Sequence, residues 1–111
     1  RDAVLIGASL GGYFALRHCV ANPASGLLLI APVMSLQGEL AANYNQMMTK
    51  TALIYGEDDN VVHHEEMKRL SNLLGTGLKI YEKGRHAAYL DYPKRFTKDV
   101  LEFYTTVAER K

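Results

Sequence analysis

Ala3-Val4-Leu5-Ile6-Gly7-Ala8-Ser9-Leu10-Gly11-Gly12 changes character within ten residues. The segment from Ala3 to Gly7 is a short unbroken apolar run, the pattern of a strand buried on both faces. From Leu10 to Val20 there is no breaker after Gly12, and the stretch reads as a helix that Asn22-Pro23 ends. Ser9 therefore falls on a strand-to-helix turn, framed by Gly7 and Gly11 in a G-x-S-x-G arrangement. A tight turn there brings the residues on either side of Ser9 close together, so side chains at the two glycines are expected to collide. The turn also lifts the serine hydroxyl above the sheet, next to the backbone N–H of Leu10 and the positive end of the helix dipole. The plainer alternative is a βα turn in which Ser9 serves only as an N-cap.

The rest of the chain repeats this alternation. Gly26 precedes a second apolar strand, Leu27-Leu28-Leu29-Ile30, closed by Ala31-Pro32. A helical turn or two is expected around Glu39 to Met48, then a third strand at Thr51-Ala52-Leu53-Ile54-Tyr55. Glu65 to Leu74 sets Met67, Leu70 and Leu74 on one helical face, and Leu78-Lys79-Ile80-Tyr81 is a fourth strand. After Pro93 a last helix carries Phe96, Val100, Phe103, Tyr104 and Val107 as an amphipathic stripe. Alternating elements with short connections predict an α/β domain, a parallel sheet with flanking helices. No internal repeat, low-complexity tract or linker divides it, so residues 1–111 read as one domain.

Composition narrows the function. Of 111 residues, 48% are apolar and 23% charged, and the net charge is +1. That balance belongs to a globular protein, with no electrostatic case for nucleic acid as a partner. The single cysteine, Cys19, excludes an internal disulfide and any zinc site needing two thiolates; in its apolar helix it reads as a buried structural thiol. No run approaches the ~20 apolar residues of a membrane helix, and no signal peptide opens the chain; the expected location is cytoplasmic, with any N-terminal targeting region lying outside this piece. The start at Arg1, without Met and almost directly in a strand, reads as a piece of a longer polypeptide.

In a parallel α/β sheet, chemistry collects beyond the carboxyl ends of the strands. A serine hydroxyl needs a base to take its proton, and the base needs a third group to fix its tautomer. The third strand runs into Gly56-Glu57-Asp58-Asp59-Asn60-Val61-Val62, and the fourth is followed by Gly84-Arg85-His86-Ala87. Serine, acid and histidine thus occur in that order at the ends of successive strands. A histidine titrating near neutrality suits proton shuttling. His63-His64 with Glu65-Glu66 suggests helix capping and solvated charges rather than a metal site, since adjacent helical residues diverge. No metal or cofactor is expected.

Taken together, these motifs resemble the C-terminal half of the α/β-hydrolase superfamily, its last four strands. More narrowly they are similar to its small capless members, the abhydrolase domain-containing protein fourteen subfamily. The matching residues are Ala31-Pro32, Ala41-Ala42-Asn43-Tyr44, Thr51 to Gly56, and His86 with Tyr89-Leu90-Asp91 and Pro93. The resemblance implies Ser9 as nucleophile, Asp59 as acid and His86 as base. Asp59 is preferred over Asp58 because the family shows Gly-x-x-Asp followed by an apolar pair, here Val61-Val62. It implies short acyl esters as substrates, or acyl transfer to an acceptor such as coenzyme A. Two features depart from the subfamily: glycines flank the serine, and Arg85 replaces the usual glycine before the histidine. Arg85 could favour an anionic substrate group or disfavour the imidazolium, and a solvent-facing arginine is the plainer reading. Residues 33–50 are too few for a lid domain. A non-catalytic hydrolase-like interaction module is the competing expectation. The second oxyanion donor and the neighbour of the first strand belong to the half not present, so this chain alone is expected to be inactive or nearly so, and aggregation-prone along its bare edge.

Overall fold

The computed structural model describes residues 3–109. Its elements, in chain order, are β1 (Val4–Ala8), α1 (Leu10–Ala21), β2 (Gly26–Ile30), α2 (Gly38–Ala41), a 3-10 turn (Tyr44–Gln46), β3 (Lys50–Gly56), α3 (His64–Leu74), β4 (Leu78–Tyr81), α4 (Ala88–Asp91) and α5 (Pro93–Glu109). The four strands form one sheet in the order β1-β2-β3-β4, and every pairing is parallel. All carboxyl ends therefore lie along one margin.

β2 explains why the sheet needs cover on both sides. Each of its five residues is buried, and successive side chains enter opposite layers. Leu27 and Leu29 pack with Leu16 and Cys19 of α1 and with Met67 and Leu70 of α3. Leu28 and Ile30 pack with Phe103 and Val107 of α5. The sheet is thus sandwiched between α1 and α3 on one face and α5 on the other. β3 continues the alternation, with Leu53 and Tyr55 in the first layer and Ile54 in the second.

β1 is an outer strand, and its Ile6 is 50% exposed although its register partner on β2, Leu28, is buried. The stripe expected on the last helix is partly corrected: Phe103 and Val107 are buried, whereas Tyr104 is exposed. The α5 face turned to the sheet instead includes Asp99, a charged residue that periodicity of apolar residues does not reveal. Asp99 is held by the Lys79 Nζ at 2.9 Å and the Tyr81 hydroxyl at 2.5 Å, which fasten α5 to β4. The region of residues 39–48 forms a four-residue helix and a 3-10 turn rather than one longer helix. Among the described residues no helix is long and apolar enough to cross a membrane.

Candidate active site

Ser9 sits directly after β1 with φ 54° and ψ −119°, a backbone conformation that L-residues avoid. The surroundings hold it there. Its N–H donates to the Ile30 carbonyl at 2.9 Å, and its carbonyl accepts from the N–H groups of Gly12, Tyr13 and Val33. The crowding expected at the turn is real but is distributed differently. A Cβ on Gly7 would lie 2.6 Å from the Gly11 carbonyl oxygen, and one on Gly12 2.8 Å from the Pro32 Cβ. A Cβ on Gly11 would meet nothing within 4 Å. The steric requirement therefore falls on Gly7 and Gly12, because it is the backbone of residue 11, not its side-chain direction, that approaches Gly7.

The Ser9 side chain makes no capping hydrogen bond to α1. Its Oγ lies 2.8 Å from the His86 Nε2 instead. On the other side of the ring, Nδ1 is 2.7 Å from the Asp59 Oδ2. The Asp59 side chain is fully buried, and its Oδ1 accepts the N–H groups of Val61 at 2.7 Å and Val62 at 2.9 Å. A carboxylate only accepts, so this arrangement places the proton on Nδ1 and leaves Nε2 free to accept from the serine hydroxyl. Asp58, by contrast, is exposed. Leu10 opens α1, where the first backbone N–H groups have no carbonyl partner within the helix.

The loops bearing Asp59 and His86 are built against each other. Glu57 N–H donates to the Tyr81 carbonyl at 2.9 Å and Asp58 N–H to the Gly84 carbonyl at 2.7 Å. The Glu57 carboxylate in turn accepts the Lys83 N–H at 2.9 Å, at a residue with φ 58°. Gly56 makes this approach sterically feasible, since a Cβ there would strike the carbonyl oxygens of Gly84 and Arg85.

Arg85 is exposed but not free. Its Nη2 is 2.6 Å and its Nε 3.2 Å from the Asp91 Oδ1, while its backbone N–H donates to Oδ2 at 2.7 Å. These bonds, the side-chain one first, hold the Asp91 carboxyl below the usual carboxylate range. Neither this pairing nor α4 is legible in the sequence: a six-residue contact across a loop has no periodic signature. The expected capping by His63 is not made by its side chain, although Glu65 and Glu66 do occupy the first turn of α3. Cys19 is buried, and burial raises its thiol pKa.

No protein-family model matches the chain. It is 32% identical over 105 residues to protein ABHD14A of Danio rerio, covering 93% of this chain and 38% of that protein. It is 29% identical over 107 residues to ABHD14B of Rattus norvegicus, named as a candidate protein-lysine deacylase, covering 95% of this chain and 50% of that protein. The chain thus spans half or less of the length of these relatives, within their C-terminal portion. Among solved structures it matches a hydrolase of Thermoplasma acidophilum described as CIB-like, with a TM-score of 0.82 and 28% identity over 92% of this chain and 50% of that one. Four parallel strands with flanking helices, matched at this level to about half of such proteins, make the chain the C-terminal half of an α/β-hydrolase fold, related to the ABHD14 proteins.

Proposed function

We propose that the chain is the catalytic half of a serine acyl hydrolase, and the observation that carries this reading is the unbroken relay Asp59–His86–Ser9, with contacts of 2.7 and 2.8 Å. The Ser9 Oγ attacks the acyl carbonyl while its proton passes to the His86 Nε2. The imidazolium so formed is stabilised by Asp59 through Nδ1–H. The negative charge that develops on the carbonyl oxygen faces the Leu10 N–H and the N-terminus of α1. Collapse of the adduct breaks the bond to the leaving group, which takes its proton from His86 and leaves the acyl group on Ser9. Water, deprotonated by His86, then attacks the acyl-enzyme, and breaking the Oγ–acyl bond returns the proton to Ser9. Replacing water by a thiol such as that of coenzyme A gives acyl transfer by the same steps.

The substrate class proposed is a small acyl ester, with an acyl-lysine as the amide counterpart that the name of ABHD14B brings into view. Support comes from the shortness of residues 33–50 and from apolar side chains on segments next to Ser9 and Asp59. Leu10, Met34 and Val61 are all exposed. Leu10 follows Ser9 directly, Met34 follows Val33, whose N–H bonds to the Ser9 carbonyl, and Val61 donates its N–H to Asp59.

The test is labelling of the full-length protein by a fluorophosphonate probe, alongside turnover of p-nitrophenyl acetate. Wild type should label and turn over, and Ser9→Ala should do neither. An unlabelled wild type would instead favour a hydrolase-like interaction module.

A further inference from the structure

We propose that Asp91 is a positioning residue for His86, acting as a clasp on the backbone that carries the ring; this rests on the reading of His86 as the base. The base loop, residues 82–87, is bridged by two adjacent residues that follow it. The Tyr92 hydroxyl donates to the Glu82 carbonyl at 2.5 Å at one end. The Asp91 Oδ2 accepts the Arg85 N–H at 2.7 Å at the other, one residue before His86.

The platform under the clasp is itself fixed. Ala88 is fully buried in the layer beneath α5, Tyr92 N–H donates to the Ala88 carbonyl at 3.0 Å, and the Tyr92 ring meets the Tyr81 ring edge-on at 5.9 Å. Asp91 is 15% exposed, against 78% for Arg85. The guanidinium arm of the pair is therefore solvated and contributes little by itself. The bond that the peptide N–H donates to the carboxylate is the stronger constraint on His86, because it is charge-assisted and acts on the backbone itself.

That bond matters because the His86 ring has to satisfy two partners at once. Its Nδ1 and Nε2 contacts, at 2.7 and 2.8 Å, leave no slack for a shift of the backbone beside it. A displacement of ~1 Å at such a site costs up to ~10²-fold in rate. The clasp also accounts for the arginine preceding His86: its cation is neutralised by Asp91 and turned away from an anion-binding role.

Asp91→Ala, Asp91→Asn and Arg85→Ala, made in the full-length protein, separate the two arms. Asp91→Ala should lower kcat by roughly 10- to 100-fold with KM and melting temperature little changed. Asp91→Asn keeps an acceptor oxygen and should recover much of the loss, and Arg85→Ala, whose peptide N–H remains, should fall by less than about threefold. The His86 Nδ1–H proton resonance, resolved in wild type, should broaden into solvent exchange in Asp91→Ala. Unchanged kcat in Asp91→Ala, equal losses in Arg85→Ala and Asp91→Ala, or a kcat loss tracking a fall in melting temperature would overturn the clasp. A wild type inert to the fluorophosphonate sinks the serine mechanism instead, and the His86 resonance still decides the clasp.

Discussion

The Ser9 N–H donates to the Ile30 carbonyl at 2.9 Å, so the strained residue after β1 is held by the last residue of the neighbouring strand. The connection beyond Ile30 completes the grip. Ala31 adopts φ 43°, its N–H bonds to the Ile54 carbonyl at 3.0 Å, and Val33 comes back to donate to the Ser9 carbonyl at 3.3 Å. Positive φ at Ser9, Ala31 and Lys83 gathers along the carboxyl ends of β1, β2 and β4. Strain of this kind persists only where neighbouring structure over-determines it. Here the over-determination comes from parallel pairing of the strands.

Gly7→Ala places a methyl group 2.6 Å from the Gly11 carbonyl, backbone against backbone, and cannot be relieved by a side-chain rotation. It should destabilise the protein by about 1–3 kcal/mol and widen the Ser9 turn. Gly11→Ala meets open space in a helix and should be neutral to stabilising by up to about 1 kcal/mol. Urea unfolding of the two variants checks the contrast, and equal destabilisation would contradict it.

Much of this was legible because parallel strands announce themselves as apolar runs. Leu27 to Ile30, Thr51 to Tyr55 and Leu78 to Tyr81 fall inside observed strands, Ala3 to Gly7 overlaps β1 from Val4 onward, and α3 and, Tyr104 apart, α5 follow their stripes. The order of Ser9, Asp59 and His86 along the chain was readable for the same reason, since each follows a strand. The roles of Asp99 and Asp91 and the crowding at Gly12 were not readable. Each depends on a partner reached through the fold: β4 for Asp99, the peptide of residue 85 for Asp91, Pro32 for Gly12.

Asp59→Asn retains the shape of the buried acceptor for Val61 and Val62 but lets His86 adopt the wrong tautomer. With the serine mechanism, kcat should fall by about 10⁴ while folding is retained. Asp58→Asn, at an exposed carboxylate whose role is confined to its backbone N–H, should change kcat by less than about twofold. Steady-state hydrolysis of p-nitrophenyl acetate distinguishes the pair, and a larger loss at Asp58 would reassign the acid.

Asp99 gives a pH dependence with a definite sign. Burial alone would raise its pKa, but the hydrogen bonds from Tyr81 and Lys79 and the charges of Lys79 and Arg95 outweigh it, so the net shift is downward. A carboxyl more acidic in the folded state stabilises the fold above its unfolded value of about 3.9, and that stability is lost as pH falls through the lowered folded value. Asp99→Asn should therefore be less stable than wild type at pH 7, and the difference should shrink below about pH 4. Urea midpoints at pH 7 and pH 3 measure it; a gap that widens in acid would be the wrong sign.

The open side of β1 and the proposed oxyanion site lead to a prediction about the chain by itself. Among the described residues β1 pairs only with β2, leaving that side of the sheet open beside half-exposed Ile6, an arrangement that invites pairing with other chains. On the proposed mechanism Leu10 supplies one oxyanion N–H, and loss of a single donor costs roughly 10²–10³ in turnover. The 111 residues expressed alone should self-associate and turn over p-nitrophenyl acetate at least about 10²-fold more slowly than the full-length protein. Size-exclusion chromatography and a matched rate assay with Ser9→Ala as blank test both halves of the claim. A monomer of full, Ser9-dependent activity would mean that residues 1–111 complete the oxyanion site themselves.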